Sequence, residues 1–358
     1  MSANKVSYIF PATMGTQAGK DFYTATIPFS HLVQLFRFDE ETVPAELRAQ
    51  RALNETRARA ISDYILTNPD SYVLPAITAS CDTSMTFKPL DAEYGVGLLK
   101  IVLGSCLLIN DGQHRRKGIE LALQENPALA DHCVSVTLFY DQGLQASQQM
   151  FSDINSNANK PSGSLNALYD LRNPFSRWII SILDQRPAIK NRIDMESAAP
   201  AKSSSKLWSL VAFHQFVNHL TGVNAKNIKS LSSLDGKTEE VVFFLDALEA
   251  IPMWSAMIKG NISAPETREQ YIISHAVFLH ALGTMGSYVK DLNQLKGLAD
   301  IDPAKSSPLW DNRAIVHGKL RKTPIGVKST AAVLLKKCGI ELPADLAEID
   351  ALCDGGAA

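Results

Sequence analysis

The stretch from Cys106 to Glu125 constrains this chain more than any other. Cys106, Leu107, Leu108 and Ile109 make an apolar run of strand length, which stops at the turn signal Asn110-Asp111-Gly112. From Gln113 onward Ile119, Leu121, Ala122 and Leu123 fit a helix that Pro127 ends. The spacing predicts a strand, a tight polar turn and a helix. Gly112 lets the backbone turn without a Cβ penalty, and the first N–H groups of a helix have no intrahelical partner. Those donors, the helix dipole and Arg115, Arg116 and Lys117 are expected to converge on one anion. Asp-Gly is also a common turn pair, and three bases on a first helical turn are commonly just solvated, so spacing alone leaves both readings open.

The 358 residues suffice for two domains. Net charge is −2, so no global basic excess marks a nucleic-acid partner and any such contact must come from local patches. The five cysteines are scattered, without the close pairs of a zinc or redox motif, and no metal site is expected. An odd count without a signal peptide predicts a reducing cytoplasm, and no apolar run is long enough to span a bilayer.

Residues 1–20 are small and polar and are expected to be partly loose. A strand is predicted over 22–27 and a helix from Pro28, followed by an acidic loop with Glu40, Glu41 and Glu46. A helix over 47–66 carries Arg48, Arg51, Arg57 and Arg59. Strands are expected over 73–80, 84–88, 98–103 and 134–140, and a helix over 145–155. A long amphipathic helix is predicted over 168–182, a linker or mobile loop over 195–205, and helices over 207–220, 239–258 (interrupted by Pro252) and 265–282. His214 and His219, like His275 and His280, are five residues apart and share no helix face, which makes them packing or surface histidines. Between Arg313 and Lys337 there are seven Lys/Arg and no acid, whereas 341–354 holds five acids and no base. A Gly-containing break at 324–326 invites a helix-turn-helix reading of that stretch. The expected division is 1–160, 161–300 and 301–358.

Asp111-Gly112-Gln113-His114-Arg115 matches, residue for residue, the signature of the DGQHR-domain proteins, a branch of the ParB/sulfiredoxin-like superfamily. The order of elements resembles that family too, as does Phe151-x-x-Ile154-Asn155, an asparagine-rich segment that the resemblance places beside the basic turn. The likeness covers most of the chain, with its specific motifs between Arg57 and Lys160. It implies an α/β (α+β) protein: a ParB-like N-terminal domain with a small mixed sheet, then a mainly helical C-terminal domain. Within the family the chain resembles the members encoded with DNA phosphorothioation (sulfur modification) genes. That implies a regulator, a repressor, binding double-stranded DNA at the operon promoter, with other phosphorothioation proteins as further partners. A homodimer would suit an inverted-repeat operator.

On this resemblance Gly112, Gln113, His114, Arg115, Arg116 and Asn155 hold nucleotide or DNA phosphate. Arg57, Arg313, Lys319, Arg321, Lys322 and Lys328 are the candidate DNA contacts. A second reading is a ParB-like NTPase, with ATP or another nucleotide and Mg as ligand and Asp111, His114 and Arg115 as its catalytic groups. No Gly-x-x-x-x-Gly-Lys-Ser/Thr loop exists in the chain, which ranks DNA binding first. A third reading is an assembly factor that binds only other modification proteins. Sulfiredoxins carry a reactive cysteine where Gln113 stands, and an amide cannot act as that nucleophile.

Overall fold

The structure, a computed structural model, describes residues 7–36, 53–81, 85–91, 93–102, 107–140, 144–156, 161–230 and 233–354. Cys106, the acidic loop, Arg48, Arg51, Asn157, Asn159 and Lys160 lie outside the described residues. The chain divides into two compact units, 1–159 and 160–358. It is a mixed α/β protein, as the order of elements predicts.

In the first unit the described strands are β1 (Ser7–Gln17), β2 (Lys20–Pro28), β3 (Ile77–Cys81), β4 (Thr86–Asp91), β5 (Val96–Val102), β6 (Leu107–Asp111) and β7 (Cys133–Tyr140). They form one sheet in the order β4-β5-β1-β2-β7-β3-β6, antiparallel except for the β3–β7 pair. The expectation of a partly loose N-terminal segment fails over 7–17. Residues 7–17 form a strand because Phe10 and Ala12 alternate into the core while the backbone pairs with β2 and β5 on either side. Alternation also directs Tyr23, Ala25 and Ile27 of β2 and Val134, Val136 and Leu138 of β7 inward. Against that face pack α1 (Phe29–Leu35), α2 (Glu55–Thr67) and α3 (Gln113–Glu125), through Phe29, Leu32, Ile65, Ile119 and Ala122. α4 (Leu144–Ser156) meets the opposite face, where Asn110 Nδ2 donates to the Ser147 carbonyl.

Gly118 lets α3 approach α2 closely. A Cβ there would sit 2.6 Å from Ile61 Cγ2 and 3.0 Å from the Ala58 carbonyl oxygen. Gly118→Ala is therefore expected to lower stability by about 1 kcal/mol net, overpacking outweighing the helix propensity that alanine gains. Denaturant unfolding would show it, and an unchanged or raised midpoint would disprove the close packing.

The second unit contains the helices α5 (Gly163–Tyr169), α6 (Pro174–Asp184), α7 (Pro187–Lys190), α8 (Leu210–Thr221), α9 (Asp235–Ala247), α10 (Pro252–Lys259), α11 (Ala264–Gln270), α12 (Ala276–Gly286), α13 (Pro324–Lys337) and α14 (Ala344–Asp354). Two short strand pairs accompany them, β8 (Ile193–Asp194) with β9 (Trp208–Ser209) and β10 (Ile315–Val316) with β11 (Lys319–Leu320). The long helix expected over 168–182 is two helices. Asn173 Oδ1 caps the N–H groups of Phe175 and Ser176, so α6 starts afresh at Pro174. Residues 301–358 fall within this unit, where α13 packs on α12 and Ala331, Leu334 and Leu335 are fully buried.

Burial pushes His214, His275 and His280 down to about 4. Between pH 6.5 and 4 the unfolded chain then binds more protons than the folded one. Stability from these rings is fully present above pH 6.5 and drains away as the pH falls toward 4. The denaturant midpoint is expected to be lower at pH 4.5 than at pH 7, and equal midpoints would show that the rings protonate freely in place.

Candidate functional site

The expected strand–turn–helix is present as β6, Gly112 and α3. Gly112 has φ 109° and ψ 11°, a left-handed conformation, and a Cβ there would lie 2.9 Å from Ile77 Cγ1 and 3.1 Å from Arg115 Nη2. Arg115 fastens this turn: Nη2 pairs with Asp111 Oδ2 at 2.5 Å and donates to the Ala76 carbonyl at 2.9 Å. His114 Nε2 accepts the backbone N–H of Asn54 at 3.1 Å, so in the neutral ring the proton sits on Nδ1. Asn54 is also the N-cap of α2, its side chain accepting from the Arg57 N–H. Asn54 meets His114, and Ala58 meets Gly118, four residues further along each helix. Thus α2 and α3 run side by side in one direction with their N-termini together. Their positive dipole ends add at the His114–Asn54 junction, and Arg57 is exposed on the first turn of α2.

The basic residues after Gly112 do not converge as expected. Arg116 is 5% exposed, its Nη1 paired with Glu120 and its Nη2 donating to the Val33 carbonyl of α1 at 2.8 Å. Helix periodicity turns it toward the core, where it ties α3 to α1. Lys117 pairs with Glu120 at 3.1 Å. Gln113 is buried as well. Asn155 donates to the Phe151 carbonyl within α4. It stands eight residues beyond Ser147, which makes the contact with β6, or about 12 Å along the helix. Ser147 is the α4 residue that accepts the bond from Asn110 of β6.

The basic C-terminal stretch sorts into two groups. Arg313 is 8% exposed and its Nη2 meets Asp350 Oδ1 at 3.0 Å; Lys336 pairs with the same carboxylate, and Lys328 with Asp345 at 2.9 Å. The acids of α14 thus neutralise these three, and Arg313 is removed from the candidate DNA surface by burial. Lys319, Arg321 and Lys322 are exposed on and just after the β10–β11 hairpin. Its turn is His317-Gly318, both with positive φ, the geometry of a type I′ hairpin. The helix-turn-helix reading fails: a hairpin precedes a single helix, and Pro324 takes the first position of α13 behind the Thr323 cap.

A family model described as DndB, DNA-sulfur modification-associated, matches residues 10–341. The chain belongs to the DndB family. No curated protein and no solved structure matches it. Membership ties the chain to DNA sulfur modification, and the DndB match contains the DGQHR turn, α4 and the β10–β11 hairpin. No single helix among the described residues is long and apolar enough to cross a membrane.

Sequence reasoning missed two residues of this DndB chain. Asn54 joins the two helix ends, and its signal was available as an Asn N-cap directly before Glu55, inside what reads as one longer helix. Asn110 is 1% exposed, accepts from Ser80 Oγ at 2.9 Å and donates to Ser147; in the sequence it marks only a turn. The histidine reading also needs a spatial amendment. The His219 and His280 rings lie 5.6 Å apart on α8 and α12, a pairing that intrahelical spacing cannot show.

Proposed function

We propose that this chain is a DNA-binding regulator, a repressor, of a DNA sulfur-modification operon. The observation that carries the reading is the charge distribution around β10–β11. Among the described residues no acid pairs with Lys319, Arg321 or Lys322, while the neighbouring Arg313, Lys328 and Lys336 are held by Asp345 and Asp350. A short hairpin presenting cations without internal partners suits duplex phosphates. The joined N-termini of α2 and α3, with His114 between them and Arg57 beside them, supply a second phosphate position in the first unit.

That second position also supports the NTPase reading. There His114 would bind or orient a phosphate, whereas Arg115 and Asp111 are occupied with each other and fix the turn. Asp111 is correspondingly a poor candidate for holding Mg.

Retardation of the operon promoter against an unrelated duplex of equal length tests the regulator, and phosphate release from ATP–Mg with and without DNA tests the alternative. The promoter is expected to shift at lower protein concentration than the control duplex. Equal affinity for both would defeat the regulator reading. DNA-stimulated phosphate release that His114→Ala abolishes would put the enzyme first.

A further inference from the structure

The sheet face opposite α1–α3, which α4 meets at β6, continues as a partly exposed surface over β7, β2, β1, β5 and β4. Strand register lines up its outward residues: Thr13 lies beside Thr24, Thr24 beside Thr137, and Thr26 beside Ser135. All five are exposed or half-buried, alternating along β2 and β7 with buried neighbours. Among the described residues none of these five hydroxyls has a protein partner. Each is able to donate and to accept.

Phe22 lays an aromatic surface next to this row. A Cβ on Gly15 would lie 2.7 Å from Phe22 Cζ and 2.8 Å from Cε1, so the ring lies down over Gly15. One ring face packs on the backbone and the other turns outward, and Phe22 is accordingly half-buried. Phe139 extends the platform, its centroid 5.7 Å away and its plane tilted by 30°.

The cations of this face stand toward the other edge. Lys100 of β5 lies beside Ile9 and Lys88 of β4 beside Leu98, both lysines exposed. As diagonal neighbours on adjacent strands they are about 7–8 Å apart. Neither has a carboxylate partner among the described residues. Gly15 and Pro11 are about 13 Å apart along β1, and Lys88 stands two strands beyond Pro11, about 10 Å across. The acids Asp21 and Asp91 lie at strand ends, where Thr16 Oγ1 donates to Asp21 and Asp91 accepts the N–H groups of Glu93 and Tyr94. Asp153 of α4 lines a cavity beyond Phe139. A polyanion is therefore drawn from Phe22 toward Lys88 and Lys100, away from α4.

We propose that this face binds single-stranded DNA. A base stacks on Phe22, the threonine row exchanges hydrogen bonds with bases and sugars, and Lys88 and Lys100 meet the phosphates. Stacking on a protein ring needs a base released from its pair, which separates this surface from the duplex contacts of the β10–β11 hairpin. The polymer is DNA because the DndB match ties the chain to DNA sulfur modification.

Fluorescence anisotropy of the full chain with a labelled 12-nucleotide DNA strand tests the proposal, beside an RNA strand of the same sequence. The DNA strand is expected to bind at micromolar protein in low salt, and the RNA no more tightly. Phe22→Leu, which keeps an apolar cover over Gly15, should weaken the strand roughly ten-fold, from the loss of one stacked ring. Lys88→Gln with Lys100→Gln should flatten the salt dependence by up to about 1.4 units, at about 0.7 per phosphate on a single strand. Promoter duplex binding should be unchanged in both variants, which also reports that they fold. Photocrosslinking of an iododeoxyuridine strand to the wild-type chain needs no variant, and adducts are expected within 20–28 or 133–140. The proposal is overturned if the strand fails to bind, if folded Phe22→Leu binds it as wild type does, or if every adduct lies in the second unit. Tighter binding of the RNA strand overturns it equally. So does a dimer in sedimentation that Ile9→Lys dissociates, since Ile9 is 59% exposed on this face and a second copy would then be its occupant.

Discussion

Asp350→Ala is expected to destabilise the protein by about 3–5 kcal/mol, the usual cost of leaving one member of a buried ion pair without its partner. Arg313 and Asp350 are 8% and 7% exposed at their side chains, and their contact joins the segment before β10 to α14. Alanine would take one carboxylate from a guanidinium that is charged at any working pH and 8% exposed at its side chain. Lys336, the other partner of Asp350, is 46% exposed at its side chain and would simply be solvated, so the loss resides with Arg313. Replacing both buried members, Arg313→Met with Asp350→Leu, should recover most of the stability because no uncompensated charge remains. Denaturant midpoints of the two variants measure this. A loss below about 1 kcal/mol for Asp350→Ala would mean that water already reaches the pair.

The largest expected effect on binding lies at the hairpin. Reversing Lys319, Arg321 and Lys322 to Glu should weaken binding to promoter and unrelated duplex alike and flatten the salt dependence. Each neutralised phosphate contributes about −0.9 to the slope of log K against log salt, so losing three contacts should reduce it by up to about three units. Promoter preference should survive, because phosphate contacts position a protein while base contacts specify the sequence. Arg313 and Lys328 predict otherwise: Lys328→Ala should leave the slope nearly unchanged, since Asp345 already neutralises that charge. If the triple reversal also left the slope unchanged, the hairpin would be a solvated face, and the α2–α3 junction would be the phosphate site left to defend.

The sequence by itself determined the local elements wherever one signal dominated. The apolar run into Asp-Gly followed by a helical period became β6, Gly112 and α3, because only glycine fits a left-handed turn packed against Ile77. The spelling of that turn also identified the family that the match over 10–341 shows. What only the tertiary structure decided was where each charge is used. Arg115, Arg116, Arg313 and Lys328 look alike in the sequence as cations in basic stretches. In the fold the first two tie α3 to Ala76 and Val33, and the other two are answered by Asp350 and Asp345 from a helix that begins beyond the basic stretch. A side chain's partner is set by which elements pack together, and a linear pattern carries no record of that. The joining of two helix N-termini at Asn54 and His114 has the same origin: sixty residues separate them, and the close approach permitted by Gly118 brings them within one hydrogen bond.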